Sequence, residues 1–222
     1  MYDLHNFILT RNEEQAKYLP QFGISGVSVI YENSFDFAAF KKLKERHLNL
    51  DLVSAVEVTA NRKGEVKKAI DKFRNSVDLI IVNAQDNDAM RAAAENSSVD
   101  FISHAFVDQT SARECAENNV GLAFDVSDFL DAFGIRRATL ISKLHFNLEL
   151  ARKYKIPILL VTGAQNVFGL RNPMQIIALA ESFGFKHKEA VRAVMETPLE
   201  IVKRNRDKEK GIEVGDGVRI VK

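Results

Sequence analysis

Residues 156–185 read IPILLVTGAQNVFGLRNPMQIIALAESFGF and hold one complete structural unit. After Pro157 the run Ile158-Leu159-Leu160-Val161 is apolar and short, the signature of a strand buried on both faces. Thr162-Gly163-Ala164 ends that run, and glycine there lets the backbone turn sharply and present its amides. A polar loop leads to Arg171-Asn172-Pro173, where Asn172 suits an N-cap and Pro173 the first helical position. Met174, Ile177, Ala178 and Glu181 then keep helical spacing as far as Gly184, a suitable stop. Strand, loop and helix follow one another here, and the rest of the chain repeats the pattern.

Six further apolar runs predict strands at 2–8, 26–31, 50–58, 77–82, 99–103 and 120–124. Helical spacing predicts helices at 13–19, 35–47, 65–73, 87–95, 111–117 and 136–154, the last with Leu140, Ile141, Leu144, Leu148 and Ala151 on its apolar side. Short strands alternating with helices call for parallel β-α-β units, and even spacing favours a barrel over an open sheet. After Gly184 come two helical segments, Lys188–Met195 and Pro198–Arg206, the second with Thr197 as its cap, and no eighth internal strand. The expected fold is therefore α/β: an irregular TIM-like (β/α) barrel of about seven parallel strands. No linker splits it, so residues 1–222 read as a single domain with a loosely ordered tail from about residue 207.

The net charge of +1 conceals strong segregation: the balance is −3 over residues 1–40, +5 over 41–74, −9 over 75–131 and +8 over 132–222. If the two basic segments meet in space they make a phosphate-facing surface; otherwise they are ordinary solvated helix faces. The single cysteine, Cys115, excludes an intrachain disulfide and fits a reducing compartment. Glu114 and Glu117 around it argue against a thiolate nucleophile. No run approaches the ~20 apolar residues that span a bilayer, and the N-terminus lacks a signal-peptide pattern, so a cytoplasmic protein is expected.

Barrel chemistry sits where strands end. Those ends supply His5, Asn6, Tyr31, Glu32, Glu57, Thr59, Asn83, Asp86, His104, Asp125, Asp128, Gln165 and Asn166. Two histidines and several carboxylates could hold a divalent ion or act as acid and base. No metal-spaced motif of the H-x-H or H-E-x-x-H kind accompanies them, which favours a merely solvated mouth. The amides around Gly163-Ala164 could meet a phosphate, yet the full glycine-rich phosphate motifs are absent.

Taken together, Tyr2-Asp3-Leu4-His5, the Gly163-Ala164 turn, Leu170-Arg171-Asn172-Pro173 leading into Ile176-Ile177-Ala178-Leu179, and the Asn205-containing end of the Pro198–Val202 helix resemble archaeal protein component 3 of ribonuclease P. The resemblance runs nearly the whole chain in order. It implies an irregular barrel and a subunit of the ribonucleoprotein that removes 5′ leaders from precursor tRNA. It also implies cleavage carried by the catalytic RNA with magnesium, no catalytic residue and no ion bound by the protein itself. The implied partners are that RNA, precursor tRNA, the small protein component 2 and other protein subunits, with no membrane. The family is a distant relative of the PHP metallohydrolases, whose first strand ends in a His-x-His pair; here His5 is followed by Asn6-Phe7.

Two functions are open. An RNA-scaffolding subunit would use Lys41, Lys42, Lys44, Arg62, Lys63, Lys67, Lys68, Arg136, Arg137, Arg171, Lys203, Arg204 and Arg206 to neutralise phosphate. Arg171, beside a helix N-terminus at the mouth, leads that set unless it pairs with Glu32 or Asp128. A stand-alone metal-dependent phosphoesterase would instead use His5, Glu57, His104 and Asp125.

Overall fold

Asp or Asn stands ahead of each of four helices, and each side chain caps the helix that follows. The computed structural model describes residues 7–10, 13–104, 106–164, 166–209, 213–215 and 218–219. His5, Asn6 and Gln165 lie outside the described residues. Asp36 accepts from Ala38 N and Ala39 N, Asp86 from Ala89 N, Asp108 from Ser111 N, and Asn172 from Gln175 N at 2.9 Å. Gln175 Oε1 answers by accepting from Asn172 N at 3.0 Å, completing a capping box. Each cap contributes about 1 kcal/mol and fixes where a strand-to-helix loop ends.

Seven parallel strands form one sheet in chain order: β1 Phe7–Thr10, β2 Gly26–Glu32, β3 Asp51–Ala60, β4 Leu79–Ala84, β5 Phe101–Ser103, β6 Gly121–Asp125 and β7 Ile158–Val161. Around them lie α1 Phe37–Arg46, α2 Lys63–Phe73, α3 Asn87–Ala94, α4 Gln109–Glu117, α5 Val126–Asp131, α6 Gly134–Tyr154, α7 Pro173–Ser182, α8 His187–Val191 and α9 Thr197–Glu209. β1 and β7 approach within 8 Å, Cα to Cα, but no ladder joins them among the described residues. Side chains cover that seam: buried Gln15 donates from Nε2 to Ala164 O at 3.0 Å, and Ala164 and Leu170 pack with Ala16, Leu19 and Val27. The barrel is irregular, as expected.

Alternation along the strands divides the core in two. Val53, Ala55, Leu79, Ile81, Phe101, Ala123, Leu159 and Val161 fill the interior, while Val56, Val58, Ile80, Val82 and Leu122 pack outward on the helices. The interior also contains Ile201 and Val202 of α9. Here the expectation of a separate, Thr197-capped helix is corrected. Thr197 has helical dihedrals (φ −53, ψ −48), and a π-helical turn at Arg192–Glu196 carries α8 into α9 without a break. That turn packs on both β1 and β7, occupying the place of an eighth strand. α9 also runs on to Glu209, past the point where a loose tail was expected, and a short antiparallel pair joins Glu213–Gly215 to Val218–Arg219.

The end of α9 is tied to the N-terminal rim of the barrel. Arg204 Nη2 donates to Asp100 Oδ1 at 3.1 Å, and Asn205 Nδ2 reaches the same oxygen at 2.7 Å. Arg206 grips both Asp51 oxygens at 3.0 Å and Asp78 Oδ1 at 3.2 Å. Asp51 opens β3, while Asp78 and Asp100 immediately precede β4 and β5. Conserving the geometry of that rim is a task of stability, since barrel chemistry sits at the opposite end.

Candidate functional site

The same alternation that sends Val53 and Ala55 inward sends Glu57 and Thr59 inward two and four residues later, at the carboxyl end of β3. Glu57 is buried and accepts from Ser103 Oγ of β5 at 2.6 Å. Asp125 ends β6, and Asp128 follows one helical turn later in α5, so both carboxylates face the mouth. His104 follows β5 with φ +54, a left-handed conformation that turns its ring toward Asp128. Its Nδ1 lies 3.1 Å from Asp128 Oδ2. These groups, with Glu32, Asn83 and Ser127, line a cavity of about 280 Å³.

The mouth is acidic, and His104 answers to it. Its hydrogen bond with Asp128 raises its pKa above 6.5; burial opposes the shift, and the charges of Asp128, Asp125 and Glu57 add to it. One ligand atom each from His104, Asp125 and Asp128 can be chosen within 4.8 Å of the others. An imidazole and two carboxylates at that separation fit a divalent cation in number and type. Of the four residues expected for a metal-dependent site, the structure thus brings together His104 and Asp125, adds Asp128, and places Glu57 on Ser103. The i, i+3 spacing of Asp125 and Asp128 was the signal in the sequence, legible only once α5 was known to start at Val126.

The expected RNA-facing cations fall in separate places. Lys41, Lys42 and Lys44 are exposed on α1; Lys63, Lys67 and Lys68 are exposed on α2, with Arg62 at its N-cap. Lys63 pairs with Glu95 at 3.3 Å on the surface. Arg136 and Arg137 open α6, where Arg137 donates to Leu130 O at 2.9 Å and stacks 5.4 Å from the centre of the Phe133 ring. Arg171 donates to Phe168 O and Leu170 O, both at 2.8 Å, rather than to Glu32 or Asp128. Lys203 is exposed on α9, whereas Arg204 and Arg206 are engaged by the carboxylates at the barrel's N-terminal rim. The α1–α2 group and the group near β6 and β7 are separated by β1 on one side and by β4 and β5 on the other. Those two groups form separate sectors, and the two basic segments meet instead beneath the barrel, where Arg74 and Arg204 share Asp100 and Lys208 lines a groove with Lys44 and Lys72.

The sequence profile described as RNase P subunit p30 matches residues 3–210. Ribonuclease P protein component 3 of Methanococcoides burtonii is 40% identical over 162 residues, covering 70% of this chain and 67% of that protein. The protein of the same name from Methanosarcina acetivorans is 34% identical over 215 residues, covering 92% and 90%. Among solved structures, a chain in "cryo-EM structure of archaeal Ribonuclease P with mature tRNA" superposes with a TM-score of 0.84 at 23% identity, covering 97% of this chain and 98% of that one. The histidinol phosphate phosphatase of Lactococcus lactis shares the fold more loosely, with a TM-score of 0.52 at 11% identity over 83% of this chain and 95% of that one. The chain belongs to the RNase P subunit p30 family.

Proposed function

We infer that this protein is a subunit of ribonuclease P and supports the removal of 5′ leaders from precursor tRNA. The observation that carries this reading is collinear similarity along the chain, 34% identity over 92% of it to a protein named ribonuclease P protein component 3. The catalytic RNA with its magnesium performs the cleavage, and the protein contributes cationic surface and a docking site for the small protein component 2. Lysines and arginines on α1, α2, the start of α6 and Arg171 neutralise phosphate without reading sequence. A cytoplasmic setting follows from that role; among the described residues no helix is long and apolar enough to cross a membrane.

The test is precursor-tRNA cleavage reconstituted from the catalytic RNA and partner proteins, with and without this chain, across a magnesium series. A lower magnesium requirement or a higher rate is expected, and Arg171→Ala should weaken it. No effect of the wild-type chain overturns the reading.

A second reading, a metal-dependent phosphoesterase, is favoured by the His104–Asp125–Asp128 group. A bound divalent ion would supply a Lewis acid and an activated water there. Incubating the purified chain with manganese and a generic phosphoester separates the two: hydrolysis lost in Asp125→Asn establishes the second reading, and inactivity excludes it.

A further inference from the structure

α1 and α2 connect consecutive strands, yet they do not pack as their neighbours do. α2 lies against α3, and α3 against α4, while α1 and α2 stand apart across the outer face of β3. Between them is a groove of about 1010 Å³ whose lining includes Phe37, Phe40, Lys44, Lys72 and Phe73.

The two walls share one chemistry. Phe37, Phe40, Lys41 and Lys44 occupy one face of α1 at i, i+3, i+4 and i+7. Phe40 is buried, but the Phe37 ring is 66% exposed and held by an edge contact to Phe35, with centroids 6.4 Å apart. A largely exposed ring offers its π-face to a planar partner. On α2, Lys72 Nζ sits 4.5 Å from the centre of the Phe73 ring, and Lys68 is one turn earlier. Lys41, Lys44 and Lys68 form no ion pair among the described residues, and Lys72 has only its ring contact there. Of the acidic groups around the groove, Asp78 and Asp51 are engaged by Arg206, and Glu209 lies on the lining next to Lys208.

We propose that the groove between α1 and α2 binds a single-stranded stretch of RNA, with a base stacked on Phe37 and the flanking phosphates on Lys44 and Lys72. The proposal rests on the ribonuclease P reading above and names the surface that does its RNA work. An exposed ring with unpaired cations beside it suits an unpaired strand, since each nucleotide brings both a planar base and a phosphate; Phe40 and Phe73 are buried and serve as the groove's floor. An acidic peptide would use the cations and leave the exposed Phe37 ring unexplained.

The experiment measures binding of the full chain to a fluorescein-labelled oligouridine decamer by anisotropy across a potassium chloride series, and runs every variant in the reconstituted cleavage assay. Lys44→Ala with Lys72→Ala should flatten the slope of log affinity against log salt by about 1.4, since each neutralised phosphate on a single strand contributes about 0.7. Phe37→Ala should lower affinity at least fivefold and leave the slope unchanged; Phe37→Tyr, which keeps the ring, should bind as wild type. Thermal melts check that each variant folds. Unchanged affinity and slope overturn the proposal, as does equal loss in Phe37→Tyr or stronger binding of an oligoglutamate decamer. If the wild-type chain stimulates cleavage and the groove variants do so equally, the groove assignment fails and the subunit reading survives. If the wild-type chain does not stimulate, the subunit reading itself fails.

Discussion

Arg204 and Asp100 lie 104 residues apart in sequence and are joined at 3.1 Å beneath the barrel. Asp100 is 1% exposed and also accepts from Arg74 Nη1 at 2.7 Å, Ile80 N at 2.8 Å and Asn205 Nδ2 at 2.7 Å. One carboxylate thus joins α9, the end of α2 and the edge of β4.

Removing that carboxylate leaves two guanidinium groups without their partner in a largely dry setting. Asp100→Ala should cost about 3–5 kcal/mol, the range for breaking a buried ion pair from one side. Urea unfolding measures it directly. Arg204→Ala should cost less, because Arg74 still compensates Asp100.

His104 gives the fold a pH signature. Its pKa is raised in the folded state by the Asp128 hydrogen bond, so its contribution is fully present below the unfolded value near 6.5 and is lost as pH rises through the folded value. The stability difference between wild type and His104→Gln should therefore be largest in mildly acidic solution and shrink toward alkaline pH. A ring-proton NMR titration should place the wild-type midpoint above 6.5, and Asp128→Asn should move it down.

The strands were largely legible in the sequence, because strands covered on both faces read as uninterrupted apolar runs. Ile158–Val161 was found to the residue, and β2, β3, β4, β5 and β6 to within two. Asn172 and Pro173 announced α7 in the same way. What escaped were features settled by distant partners. Nothing local in Arg204-Asn205-Arg206 distinguishes cations that meet phosphate from cations that meet Asp51, Asp78 and Asp100. The π-helical turn was equally hidden, since Thr197-Pro198 looks like a helix start and its helical dihedrals depend on packing against β1 and β7. In the site, Glu57, Asn83, His104 and Asp125 were named at the ends of β3 to β6, where the structure has them, but alternation along β3 and β6 alone could not show that His104 would turn back on Asp128.

Cys115 should be chemically silent. Burial, with help from Glu114, pushes its thiol up to about 12, and the side chain is fully enclosed. A disulfide reagent at pH 8 should leave the folded chain unmodified and titrate one thiol in urea. Modification at the same rate in both states would show that the core opens readily.

Gly163 is the tightest point of the mouth. Its φ is +62, and an added Cβ would fall on Ser127 Oγ and lie 3.0 Å from Asp125 Cβ. Gly163→Ala should destabilise by about 1–3 kcal/mol through the left-handed backbone and the overlap. Gly64→Ala, with open space around its Cβ, is the control and should be neutral or slightly stabilising within its helix.

The insertion of Ile201 and Val202 into the barrel has a consequence for how the protein is made. Seven strands and their helices leave the ribosome before the residues that finish their shared interior exist as nascent chain. Until α9 emerges, the apolar strand faces that meet Ile201 and Val202 stay uncovered, the condition under which partly folded chains stick to one another. α9 is thus the segment that completes the shared interior. A premature stop before residue 197 should yield an aggregating fragment and not a shortened barrel.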